Sequence, residues 1–226
     1  MYLEYSDKNK RHKLEIKEAD KKDLKRWQTE VMPHEKSQAA QWNWEKFMSR
    51  EFRLAKYTGQ DPKFVSLSID NKPVGMMLIA NQFKAQTRFD KKENLTYVWY
   101  LQGAPNEYLK KHNIDKSTFD LSVGKILLDA AVVNSFKSGN DGKTLLHADP
   151  EAKGNFLLEY YTKQGFSKID DDRIKHVSPF RENDGRYFHL NKASAKIFIF
   201  ENRQAIGQKL TLEKPSNHSK EKSLSR

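Results

Sequence analysis

The 226-residue chain has no cysteine. That excludes disulfides, thiolate zinc sites and a cysteine nucleophile, and it fits a reducing, cytoplasmic setting. No stretch approaches the roughly 20 apolar residues that span a bilayer, so no membrane partner is expected. The opening MYLEYSDKNKRHKL lacks the apolar segment of a signal peptide. No run of five or more Lys/Arg occurs, and neither an internal repeat nor a low-complexity block is present. The seven histidines show no close metal-binding spacing, and Gly-x-Ser-x-Gly is missing. Metal sites and Ser-His-Asp chemistry therefore fit poorly.

What is present is enough apolar material for one core: 37% hydrophobic residues, with 13 Phe, 9 Tyr and 4 Trp. Residues 1–11 read as a loose N-terminus, 12–207 as a single domain, and 208–226 as a flexible basic tail too polar to offset chain entropy. Net charge is +11, from 41 Lys+Arg against 30 Asp+Glu. That favours anionic partners such as nucleic acid or phosphate-bearing ligands. The charge is dispersed, however, as in a solvated lysine-rich surface.

Periodicity lays out the elements. Leu14 and Ile16 alternate with charges, as in a strand. Asp20 is placed to cap a helix bearing Leu24, Trp27 and Val31, and Pro33 stops it. Ser37 opens a second helix bearing Trp44, Phe47, Met48 and Phe52. Two tryptophans at positions 42 and 44 cannot share one helical face, so Trp42 is expected at a cleft or partner. Phe64–Ile69 and Val74–Ala80 form a hairpin about Asp70-Asn71-Lys72-Pro73. Leu95–Leu101 is the most β-prone run. A polar stretch leads to a helix over Val123–Phe136, then a buried strand over Lys143–Ala148. A helix over Asn155–Lys163 follows, then strands near Phe166 and Arg186–Leu190, and an apolar helix or strand at Ala193–Phe200. The order β-α-α-β-β-β-α-β-α-β-β is an α/β (α+β) mixed sheet with helices on both faces.

If the strands at Leu95 and Lys143 run parallel and splay at their carboxyl ends, they leave a crevice. The helix near Val123 then aims free N–H groups at it, a setting for a diphosphate. Gly124 lets backbone approach closely.

The segment LLHADPEAKGNFLLEYYTKQGF resembles the Gcn5-related N-acetyltransferase superfamily. The match is to that family's fifth strand, fourth helix and sixth strand. Tyr160-Tyr161-Thr162-Lys163-Gln164-Gly165-Phe166 lies on its Leu-Tyr-Glu-Lys-x-Gly-Phe piece. The family's Gln/Arg-x-x-Gly-x-Gly/Ala motif falls on Phe119, Ser122 and Gly124, and only Gly124 is kept. An insert spans about 106–118, and Asn155 stands one residue late for the family's asparagine.

The resemblance implies splayed central parallel strands and transfer of an acetyl group from acetyl-coenzyme A to a primary amine by direct attack. It places the cosubstrate against Leu101, Gln102, Gly103, Ser122, Val123, Gly124, Lys125 and Asn155. Lys125 is a candidate for a phosphate contact and equally for an exposed first-turn lysine. Tyr161 becomes the general acid, with ordinary pKa near 10. His147, ordinarily near 6.5, Glu93 at the strand's entry, and a water chain share the candidacy for base. Trp42 and its neighbours would line the acceptor side. The acceptor is a small molecule or peptide amine, and the protein a monomer or homodimer. Alternatives are a non-catalytic acyl-coenzyme A-binding or partner-binding module, and a nucleic-acid binder.

Overall fold

The computed structural model describes residues 2–7, 10–88, 91–114, 123–149, 156–170, 172–177 and 182–205. Its frame is an eight-stranded sheet in the order β1-β2-β3-β4-β5-β6-β8-β7. β1 (Tyr2–Asp7), β2 (Lys10–Glu18), β3 (Asp61–Ile69), β4 (Lys72–Arg88) and β5 (Lys91–Gly103) form an antiparallel meander. β6 (Thr144–His147) lies parallel to β5. β8 (Tyr187–Leu190) runs antiparallel to β6, and β7 (Ser167–Lys168) antiparallel to β8. No helix among the described residues is long and apolar enough to cross a membrane.

Local chemistry accounts for the joints. Asp20 caps α1 (Lys21–Arg26) in a reciprocal capping box with Asp23. β3 and β4 are joined by Asp70 and Asn71 alone, both left-handed at φ 47 and 64. Such a two-residue turn matches the twist of the flanking strands. Asp70 Oδ1 also accepts from Lys13 N at 2.9 Å, pinning the turn to β2.

Several expectations are corrected. Residues 2–7, read as loose, form an edge strand on β2. The helix read from Ser37 is two pieces. Ser37 caps a 3₁₀ turn over Gln38–Gln41, and Asn43 caps α2 (Trp44–Tyr57) by accepting from Lys46 N at 2.9 Å. Two cap-formers six residues apart each start their own helix, and the chain is extended at Trp42 between them. Trp42 therefore precedes α2 instead of sharing it. The insert contributes a short helix, α3 (Asn106–Lys111). α4 (Val123–Lys137) and α5 (Phe156–Lys163) stand where periodicity placed them, and the last apolar segment is a helix, α6 (Lys192–Ala205). The tail at 208–226 lies outside the described residues.

Alternation divides the sheet into two faces. Tyr100 stacks on Phe47 at 4.3 Å, and Gln102 bonds Trp44, so both face α2. Gly75 and Gly103 are cross-strand partners on the other face, under α4. A Cβ on Gly75 would sit 2.8 Å from Val123 Cγ1 and 3.0 Å from Leu127 Cδ1. One on Gly103 would meet Val123 Cγ1 at an ordinary 3.5 Å. The glycine pair is a notch that seats the first turn of α4 on the end of β5.

Gly75→Val should therefore force α4 outward and cost about 1–3 kcal/mol of stability, read by thermal unfolding. Gly103→Ala should change it little. Equal melting temperatures for wild type and Gly75→Val would refute the notch.

Candidate active site

The centre of the sheet is open at one end. β5 and β6 pair at three positions only: Thr96 with Thr144, Tyr97 with Leu145, and Val98 with Leu146. Beyond them each strand follows its outer neighbour. β5 continues along β4, with Tyr100 opposite Leu78 and Gly103 opposite Gly75. β6 continues along β8, with His147 opposite Tyr187 and Ala148 N donating to Arg186 O at 2.9 Å. The divergence begins at a register shift: Val98 opposes Ile79, Tyr100 opposes Leu78, and Trp99 is the extra residue. Such a bulge bends its strand and sharpens the twist. It sits one residue past the last β5–β6 pair.

Two sets of side chains flank the gap from opposite faces. On the α4 face, Tyr161 of α5 packs edge-on against Phe166 at 6.0 Å and tilted against Phe188 at 5.5 Å. Phe188 is the partner of Leu146, the last residue of the parallel ladder. Burial pushes the Tyr161 phenol above its ordinary value, and Tyr160 and Asp149 push the same way. Its hydroxyl is therefore protonated across the neutral range, and it has no hydrogen-bond partner among the described residues.

On the α2 face, His147 closes β6. Its Nε2 lies 2.9 Å from Asp184 Oδ2 and 3.0 Å from Oδ1, and its ring leans on Tyr187 at 4.6 Å. Burial raises the Asp184 carboxyl, but the hydrogen bond and charge of His147 outweigh that and hold it below its ordinary value. An ionised carboxylate only accepts, so Nε2 donates to it and Nδ1 is the nitrogen left to accept a proton. Beside the gap on this face, Trp42, Phe47 and Tyr100 form an aromatic cluster, with Trp42 and Tyr100 edge to face at 5.1 Å.

Among solved structures, an uncharacterised protein from Bacillus halodurans superposes with a TM-score of 0.53 at 14% identity, over 91% of this chain and 97% of that one. The chain shares that protein's fold, a mixed sheet whose parallel pair β5–β6 parts at one end, as the resemblance to Gcn5-related N-acetyltransferases implies. Weaker likenesses are a PaiA N-acetyltransferase from Thermoplasma acidophilum in complex with coenzyme A (TM-score 0.41, 15% identity, 78% of this chain and 96% of that one) and an AtaT mutant toxin bound to the antitoxin AtaR C-terminus and acetyl-CoA (0.47, 12%, 81% and 96%). No family model and no curated protein matches the sequence.

Within this fold the remaining candidates separate. Leu101, Gln102 and Gly103 lie on the open part of β5, but the Gln102 side chain is buried and engaged. Its Oε1 accepts from Trp44 Nε1 at 2.9 Å, and its Nε2 donates to Glu35 Oε2 at 3.1 Å. Only its backbone is placed for a ligand. Val123, Gly124 and Lys125 form the half-buried first turn of α4, and Lys125 has a partner of its own. Ser122 and Asn155, like Phe119, lie outside the described residues.

Glu93 is not at the gap. It stands three residues before Thr96, beyond the opposite end of the parallel ladder. Its carboxylate accepts from Thr87 Oγ1 and, at 3.0 Å, from Lys143 Nζ. Burial would raise it, but those two partners hold it below the ordinary carboxylate range. A carboxylate so stabilised is a weak base, and its place is structural. What sequence reading missed is Asp184, distant in the chain from His147. Its signal was the Asp184-Gly185 turn, with Gly185 left-handed at φ 71, just before β8.

The Glu93 cluster generates a pH prediction. His189 lies 3.9 Å from Glu93 Oε1, too far for a hydrogen bond, and its Nε2 is buried without a partner. Burial lowers it to about 4, with Arg88 and Lys143 adding to the shift and Glu93 opposing it. Between about pH 6.5 and 4 the unfolded chain binds a proton at this residue that the folded chain refuses, so stability falls as pH falls through that window. The loss is on the order of 3 kcal/mol, at about 1.4 kcal/mol per pH unit. His189→Gln should flatten this slope in denaturant melts. An unchanged slope would show that His189 does not set it.

Proposed function

We propose that this chain is an acetyl-coenzyme A-dependent N-acetyltransferase that modifies a primary amine by direct attack. The observation that carries the reading is the three-pair β5–β6 ladder, which leaves the β5 edge over residues 99–103 open beside the first turn of α4.

The residues present fit the cosubstrate. An unpaired strand edge offers alternating N–H and C=O groups to the two amides of a pantetheine arm, as an added strand would. The first turn of a fifteen-residue helix carries N–H groups with no intrahelical acceptor, which suit a diphosphate. Val123 and Gly124 supply them. This keeps the role of the family's phosphate motif on the backbone, although its side-chain pattern is reduced to Gly124. Bound acetyl-coenzyme A supplies an activated acyl carbon and a thiolate leaving group.

The chain's own groups do the rest. A backbone N–H in the span Leu101–Gly103 polarises the thioester carbonyl, aimed at the charge that grows in the transition state. His147 Nδ1 takes a proton from the acceptor amine on the α2 face, while Asp184 fixes the tautomer and steadies the resulting imidazolium. The amine nitrogen bonds the acyl carbon as the carbon–sulfur bond breaks. Tyr161 donates its phenolic proton to the sulfur from the α4 face. The amine loses one proton and the sulfur gains one, so His147 and Tyr161 regain their starting states by exchange with solvent. Alignment of the two substrates across the sheet provides much of the acceleration. No enzyme nucleophile is needed, in keeping with a chain that has no cysteine.

Acetyl-coenzyme A should raise the melting temperature by mass action, and amines should then release free thiol. Tyr161→Phe should cut kcat by about 10²–10⁴-fold, a usual worth of general acid catalysis, and leave the KM for acetyl-coenzyme A within a few-fold. Unchanged kcat would remove Tyr161 from the reaction. A melting shift without thiol release across a panel of small amines and peptides would favour the non-catalytic module, the reading that the altered phosphate motif supports.

A further inference from the structure

The outer face of α2 has no role in the chemistry above. Lys46, Arg50, Arg53 and Tyr57 recur at intervals of four, three and four residues, so they fall on one stripe of the helix. All four are exposed, Tyr57 to 90%. The inner side is set by Trp44 and Ala55, both fully buried. The two carboxylates of α2 are off the stripe. Glu51 is half-buried with Oε2 sealed from solvent, and Glu45, exposed in the first turn, is rotated about 100° from Lys46. Among the described residues neither Lys46 nor Arg50 joins an ion pair, whereas Lys17, Arg26, Lys36, Lys63, Lys143, Lys168 and Lys192 each lie within 4.0 Å of a carboxylate.

We infer that the outer face of α2 binds single-stranded nucleic acid, with Lys46, Arg50 and Arg53 on the phosphates and Tyr57 stacked on a base. The stripe is about 16 Å long at 1.5 Å per residue, long enough to follow several phosphates. Lys46 and Arg50 face it without competing carboxylates, and a chain of net charge +11 adds long-range attraction. The exposed tyrosine favours nucleic acid over a lipid surface. A membrane-seeking helix presents a broad apolar face to the acyl boundary, and this stripe has one aromatic tip. Base-on-tyrosine stacking is sequence-tolerant, as the lack of other base-reading side chains on the stripe requires.

The test is fluorescence anisotropy of the full chain with a labelled uridine RNA of about 20 nucleotides, over salt from about 50 to 300 mM. Lys46→Glu/Arg50→Glu should weaken binding at least tenfold at low salt. It should also lower the log–log salt slope by about 1.4, because each phosphate neutralised on a single strand is worth about 0.7 and two would no longer be. Tyr57→Ala should weaken binding about fivefold or more with the slope unchanged, because stacking releases no counterions. The control is Lys110→Glu/Lys111→Glu on α3, which changes net charge equally and should cost less than threefold. Circular dichroism melts confirm that each variant is folded, and Tyr57→Ala, which adds no charge, serves as a second independent variant. Equal weakening by the α2 and α3 pairs would overturn the inference in favour of unspecific attraction. So would wild-type chain that does not bind the RNA at low salt, or that binds vesicles of anionic phospholipid more tightly than RNA.

Discussion

One extra residue in one strand governs the middle of this molecule. Trp99 is accommodated by a bulge against β4, and the parallel pairing of β5 with β6 ends at the residue before it. A parallel pair separates only if each strand has somewhere else to place its hydrogen bonds. Here β5 keeps β4 through Gly103, and β6 keeps β8 through Ala148. The cost of parting falls on the two inner edges alone. Unpaired strand edges attract a further strand, and an extended ligand carrying amides satisfies them in the same way.

The other end of the same ladder is closed as firmly as this one is open. Thr96 N donates to Lys143 O at 3.0 Å, and the Thr96 hydroxyl donates to Asn81 Oδ1 at 2.7 Å while accepting from Asn140 Nδ2 at 3.3 Å. Lys143 meets Glu93 at 3.0 Å. These groups tie β4, β5, β6 and the turn before β6 together below the gap. Thr96, Asn81 and Asn140 are themselves buried, so removing one of the three strands its partner without water. A sheet zipped at its base and split at its top holds its gap at fixed width, as the proposed alignment of two substrates would require.

Much of this was legible in the sequence because it is local. The helix over Val123–Phe136, the hairpin about Asp70-Asn71 and the helix ending at Gly165 are written in periodicity and turn chemistry. Tyr161 was legible as a candidate through its place in the Tyr-Tyr-Thr-Lys-Gln-Gly-Phe piece. The misreadings share a cause, which is contact between distant residues. Glu93 looked like a base at a strand entry because nothing local announces Lys143 or Thr87 as its partners. Asp184 and His147 meet only because β6 pairs with β8. Trp99 reads as one more β-former, since a bulge is a property of two strands. Two misreadings are local: the helix from Ser37 passed over the capping power of Asn43 in favour of apolar spacing, and residues 2–7, read as loose, pair with the strand that follows them.

Gln102 shows how the parts are coupled. It lies on the open stretch of β5, and its side chain reaches away from the gap to hold two elements at once. Trp44 Nε1 donates to it from the first residue of α2, and it donates to Glu35 in the segment before Ser37. Glu35 in turn accepts from the backbone N–H groups of Lys36 and Ser37, each at 2.9 Å. Burial would raise that carboxyl, but the hydrogen bonds from Ser37, Gln102 and Lys36 outweigh it and keep it ionised. The chain entering α2 is thus locked to the strand that borders the gap, through a buried amide with both ends satisfied. Breaking the buried Trp44–Gln102 link would leave a polar group in a site that water does not reach. The aromatic cluster on the α2 face and the basic stripe on the helix's outer side belong to a single body that moves with β5. A ligand on the proposed stripe would therefore lie at a fixed distance from the gap.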